Sequence, residues 1–221
     1  MICKGCQKEK NLVKAHIIPE SFFRGLREGN SAPEIYSTAK EFYPKRAPIG
    51  VYDKEILCDE CEQIFQVFDD YVCQILINNE SDLEPLNHAG SVVGYRINSI
   101  NNDKLKLFFL SVLWRASISK HYFYSRVSLN KLESKLKNLI WNNNPGSKHD
   151  FSFVLAKFEG DDAGRTIQNP FQERLFGIRY YRFYLYGYVL YIKADSQKTP
   201  SIWAPSLFPT MIPSLLYLGG L

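Results

Sequence analysis

The spacing of apolar positions divides the chain into helical and extended stretches. From Asp59 to about Asn78, Ile64, Phe65, Phe68, Val72, Ile75 and Leu76 recur three and four residues apart. That period places them on one face of a helix. Asp59, Glu60 and Glu62 crowd its first turn, where the positive end of the helix dipole favours acids. A second helix is predicted from Asp103 to Tyr122, with a stripe of Leu105, Phe108, Phe109, Val112 and Leu113. A third runs from Leu129 to Trp141 and stops at Asn142-Asn-Asn-Pro-Gly146. Strand-like runs occupy Val51–Leu57, Phe151–Phe158 and Ile178–Ala194, the last with a turn or bulge expected at Gly187.

Between these runs the pattern lapses. Residues 24–50 are rich in Gly, Pro, Ser and charge and read as a loop insertion with short strands. Residues 79–102 are polar and Asn-rich and read as a connector. The tail from Pro200 is expected to wrap the surface in extended form. The fold class expected is α+β: an N-terminal module over residues 1–78, the connector, and a helix-and-antiparallel-sheet region over 103–221.

Composition narrows the possibilities. Apolar residues make up 45% of 221, a globular proportion that excludes wholesale disorder. No apolar run reaches the roughly 18 residues of a membrane helix. The start, Met-Ile-Cys-Lys-Gly-Cys, carries no apolar signal core, so a cytoplasmic protein without membrane contact is expected. Charge is uneven. Residues 1–100 hold 11 Lys+Arg against 15 Asp+Glu, and residues 101–221 hold 16 against 8. A basic second half suits either phosphate-backbone contacts or a solvated surface.

A reducing compartment changes the meaning of the cysteines, because paired thiols there more often bind metal than form disulfides. Four of the five form two C-x-x-C pairs, Cys3-Lys-Gly-Cys6 and Cys58-Asp-Glu-Cys61. Each tight turn offers two thiolates, and two turns complete a tetrahedron around one zinc. With all four positions filled by sulfur, that zinc is structural. Cys73 is left over and reads as a small apolar helix residue.

Lys14-Ala-His-Ile-Ile-Pro19 follows the first pair, and Asp53-Lys-Glu-Ile-Leu-Cys58-Asp-Glu-Cys61-Glu62 contains the second. Together these segments resemble the zinc-supported HNH endonuclease family over roughly residues 1–75. The resemblance implies a ββα-metal fold, in which two strands and a helix surround one catalytic divalent ion, Mg²⁺ or Mn²⁺. His16 matches the general base that activates water against a DNA phosphodiester. Asp53 falls where the family has its middle Asn, and Glu62 where it has its final His or Asn. Both are candidate ligands of the catalytic ion, and Asp53 could alternatively orient the His16 ring. Ala15 stands where the family has a metal-ligating acid or His. Loss of that ligand leaves open a second reading, a catalytically degenerate zinc module that binds nucleic acid or a partner protein. DNA is the expected partner. By analogy with small HNH-like proteins, a protein partner from a defence or mobile-element system is also expected.

The second half shows no catalytic motif. Trp114-Arg115 and Arg179-Tyr-Tyr-Arg-Phe-Tyr184 interleave aromatic and basic residues. This suits a stacking surface for nucleic acid or an aromatic-rich sheet with outward arginines. His88, His121 and His149 match no ligand spacing.

Overall fold

The computed structural model describes residues 1–24, 26, 32–37, 43–79, 83–97, 100–158, 167–200 and 211–212. These form a mixed α+β structure with four α-helices and several small sheets.

The first knuckle closes locally. Gln7 turns back with a φ of 60°, donating to the Cys3 carbonyl at 2.9 Å, and the Cys3 amide reaches the Lys8 carbonyl at 3.0 Å. The knuckle then zips onto the chain ahead of the second cysteine pair. Lys4 N donates to Ile56 O at 2.8 Å, Val13 N donates to Leu57 O at 2.9 Å, and Leu12 bridges Cys58. Strand β1 (Ala15–His16) pairs antiparallel with β4 (Tyr52–Asp53), Ala15 facing Asp53 and His16 facing Tyr52. The strand expected over Val51–Leu57 shrinks to those two residues. Asp53 accepts the Glu55 amide at 2.8 Å, a side-chain turn that bends the chain out of the strand.

Between β1 and β4 lie helix α1 (Glu20–Arg24) and strands β2 (Glu34–Tyr36) and β3 (Lys45–Arg46). Much of the expected loop insertion falls outside the described residues. Strand β2 pairs antiparallel with β3 and parallel with β8 (Ile167–Gln168), a short strand from the second half.

Helix α2 (Asp59–Cys73) begins at the second cysteine pair and ends in a π-helical turn over Gln74–Asn78, as the periodicity predicts. Phe65, Phe68, Val72 and Leu76 are buried along one side. The expected connector is more ordered than its polarity suggested. Strands β5 (Leu83–His88) and β6 (Ser91–Ile97) form a hairpin through Ala89-Gly90, both at positive φ (49° and 82°). Two positive φ values in a two-residue turn match the right-handed twist of the strands. Of the tail beyond Pro200, the described residues Met211–Ile212 form β12, which pairs with β6.

Helix α3 (Asn102–Ile118) is capped by Asn101, whose side chain accepts from Lys104 N at 3.0 Å. The sequence predicted one apolar stripe, yet every residue from Leu107 to Ala116 is buried, so α3 is covered on all sides. It packs against α2 and against α4 (Leu132–Trp141). Phe109 meets Phe153 at 4.7 Å between ring centroids, tying α3 to β7 (Phe153–Lys157). The four-stranded sheet runs β7-β11-β10-β9, all antiparallel, with β9 at Phe171–Leu175, β10 at Ile178–Leu185 and β11 at Tyr188–Lys193. Gly187, at a φ of 73°, makes the expected turn. One continuous buried cluster extends from Cys3 to Ala194, so the second half closes over the first.

Candidate metal centre and the buried site beside it

The two C-x-x-C turns meet. The Sγ atoms of Cys3, Cys6, Cys58 and Cys61 all lie within 4.8 Å of one another, and Cys6 and Cys58 are 3.9 Å apart. Four sulfurs about 2.3 Å from a common ion stand about 3.8 Å from each other, so the quartet can hold one metal ion. Cys3, Cys58 and Cys61 are buried. Burial opposes charge on Cys3, but amide donors from Cys58, Cys6 and Gly5 outweigh it and leave this thiol at about 7. The Cys58 amide reaches the Cys3 sulfur at 3.3 Å. Burial and the adjoining thiols push Cys61 up. Deprotonating all four therefore calls for a cation among them.

Gly5 is required by space. A Cβ there would stand 2.7 Å from Cys61 Sγ and 2.9 Å from Trp141 Cζ2. Trp141 closes α4, and Lys137 of the same helix donates to the Lys4 carbonyl at 3.0 Å. The second half of the chain thus clamps the knuckle.

One turn along α2 from Cys58, Glu62 points at β1. Its Oε1 accepts the His16 backbone amide at 3.2 Å. Its Oε2 and the ring Nε2 of His16 are both buried without a hydrogen-bond partner. Burial lowers the His16 pKa below the ordinary imidazole value, against the opposing influences of Glu20 and the Ile49 carbonyl, which favours the neutral ring. Burial also raises the Glu62 carboxyl, with Arg115 acting the other way.

Arg115 of α3 fixes this pair from below. It is fully buried, at 0% exposure. Nη1 donates to the His16 carbonyl and to Asp69 Oδ2, each at 2.9 Å. Nη2 donates to Asp69 Oδ1 at 2.8 Å and to Ser111 Oγ at 3.0 Å. Its guanidinium lies 4.8 Å from the centre of the Phe65 ring. One side chain therefore ties β1, α2 and α3 together through a two-pronged ion pair.

Asp53 makes contacts that the sequence did not anticipate. It is 6% exposed, and its carboxylate accepts from Glu55 N at 2.8 Å, Ser119 Oγ at 2.9 Å and Lys120 N at 2.7 Å. Burial alone would raise its pKa, but these donors outweigh burial and lower it. The carboxylate anchors the end of α3 to β4, and no hydrogen bond joins it to His16. Among the described residues the cysteine quartet is the sole group bringing three or more metal-ligating atoms together. Ala15 is 0% exposed and sits opposite Asp53. An acid at position 15 would have its Cα facing that of an already buried carboxylate.

The aromatic-basic runs are also resolved. Trp114 and Arg115 lie in the core at 1% and 0% exposure and so offer no stacking surface. Tyr180, Tyr181 and Phe183 are buried, and Arg182 lies 5.5 Å from the centres of both the Phe171 and Tyr184 rings. His121 and His149 each accept a backbone amide through Nδ1, from Phe123 at 3.2 Å and Thr199 at 3.4 Å. The side chain of His88 lies outside the described residues. The pairing of Arg115 with Asp69 is the feature of the site that sequence reasoning did not assign. The available signal was a lone arginine within the apolar run Leu107–Ala116.

Comparison of the chain with protein-family models, with curated proteins and with solved structures found no match in any of the three. No helix among the described residues is long and apolar enough to cross a membrane.

Proposed function

We propose that this chain is an HNH-like, metal-dependent endonuclease acting on DNA phosphodiesters, with a structural zinc on Cys3, Cys6, Cys58 and Cys61. The observation that carries the reading is the pair of buried atoms without partners, His16 Nε2 and Glu62 Oε2, on elements already joined by a hydrogen bond. Buried polar atoms are nearly always satisfied, so two such atoms on neighbouring elements mark a place for something polar to bind. The order of β1, β4 and α2 around them agrees with the two-strand, one-helix arrangement that the sequence resemblance implies.

Neutral His16, oriented by Glu62 at its amide and Arg115 at its carbonyl, takes the proton of a water molecule at Nε2. Glu62 Oε2 is a hard oxygen, suited to holding Mg²⁺ or Mn²⁺ alongside waters and substrate phosphate. Such an ion, when bound, supplies charge neutralisation at the phosphate. Asp53 acts at one remove, positioning the β4 strand that pairs with β1.

A second reading is kept because the described residues bring no three-ligand set to His16 and Glu62. In it the module retains the zinc scaffold and binds DNA or a partner without cutting. Plasmid nicking with added Mg²⁺ or Mn²⁺ separates the two. The wild-type protein is expected to nick, and His16→Ala to lose about 10²–10⁴-fold in rate while keeping its zinc and its fold. Equal nicking by both proteins, or none by the wild type, overturns the nuclease reading.

A further inference from the structure

The β1–β4 pair places two lysines side by side. The register ends with Ala15 facing Asp53, and Lys14 and Lys54 are the next residues beyond it. Their side chains converge on one ring. Lys14 Nζ is 5.4 Å and Lys54 Nζ is 5.8 Å from the centre of the Tyr52 ring, and the His16 ring meets the same ring edge-on at 5.8 Å.

Two like charges brought to one ring repel each other. Both lysines are exposed, and among the described residues neither pairs with a carboxylate. The acid next to Lys54, Glu55, is engaged by Lys120 at 2.9 Å. The Tyr52 ring attracts both ammonium groups and so gathers two uncompensated cations beside the imidazole.

We propose that Lys14 and Lys54 form a phosphate-binding cradle, with Tyr52 as its floor, that holds the DNA backbone next to His16. The ligand chemistry is a pair of successive phosphodiester monoanions along one strand: two ammonium groups at one ring meet two singly charged phosphates, with the His16 ring against the same tyrosine. The cradle deepens the nuclease reading and rests on it for the identity of the substrate. It is tested by binding, so the two can fail separately.

The test is fluorescence anisotropy of a short labelled DNA duplex, without added divalent ion, over a salt series. The proteins are the wild type, Lys14→Gln, Lys54→Gln, the double variant and Lys131→Gln, which removes the same charge from an exposed position ahead of α4. Each cradle variant is expected to weaken binding roughly 10-fold at low salt and to flatten the slope of log K against log salt by about 1, the double variant by about 2. Lys131→Gln is expected to leave both unchanged. A double variant with wild-type affinity and slope overturns the cradle, as does an equal loss in Lys131→Gln or a wild type that binds no duplex. Lysine-dependent binding by a protein that does not nick plasmid sustains the cradle and sinks the nuclease reading alone.

Discussion

The cysteine quartet and the His16 site adjoin at Cys61-Glu62 on α2 and are built in opposite ways. The quartet is closed: four sulfurs within 4.8 Å of one another, supplied by two short turns. The His16 site is open. Two polar atoms are left without partners, and its framework needs α3 from the other half of the chain. A closed thiolate shell favours stability and leaves no position for substrate. A buried pair with spare bonding capacity costs stability unless water, an ion or a substrate completes it. In the proposed reading, one site holds and the other does the chemistry.

The strongest test of that division removes a sulfur. Cys58→Ser is expected to lose the metal and with it the folded N-terminal module, since structural zinc contributes about 10–16 kcal/mol in finger peptides. Elemental analysis and circular dichroism would show it. A folded, reduced wild-type protein with no bound zinc would break the comparison at its root.

A smaller effect is expected at the framework of the open site. Arg115→Met leaves Asp69 without its partner and should cost about 3–5 kcal/mol in urea unfolding of the zinc-loaded protein. Replacing both, Arg115→Met with Asp69→Leu, should recover most of this. It should remain about 1–2 kcal/mol short, because the His16 carbonyl and Ser111 Oγ lose their donor. If the single and double variants unfold alike, the ion pair does not hold β1, α2 and α3 together.

The smallest effect concerns a half-buried cation with no carboxylate bonded to it. Lys106 of α3 donates to the Ser147 carbonyl at 2.7 Å, and burial lowers it from 10.5 to about 8. A lysine whose folded pKa lies below its unfolded value penalises the folded state wherever it is charged. Stability should therefore rise between pH 8 and pH 10.5, by about 1–2 kcal/mol. Lys106→Met should lack that rise in paired urea curves at the two pH values. A parallel rise in both proteins would assign it to other groups and remove Lys106 as the contrast to the paired Arg115.

The two sites also differ in how far they could be read from the residues. C-x-x-C needs only a local turn, so the spacing carried Cys3, Cys6, Cys58 and Cys61 directly. His16 and Glu62 were found through a resemblance, and the structure sets them against each other. The contacts of Asp53 were not legible because two of its donors, Ser119 and Lys120, come from the end of a helix 66 and 67 residues away. The hairpin over Leu83–Ile97 was read as a connector because few of its side chains are buried and so few had to be apolar.

The sequence by itself determined the local matters: the three longer helices, whose apolar period is a property of consecutive residues, the paired strands around Gly187, and the thiolate turns. Only the tertiary structure decided that Arg115 is a buried strut and that Asp53 is an anchor. It alone left His16 Nε2 and Glu62 Oε2 without partners and brought Lys14 and Lys54 to one tyrosine ring. Each of these depends on which elements pack together, and the free energy of a buried charge or an unpaired donor is set by neighbours remote in the chain.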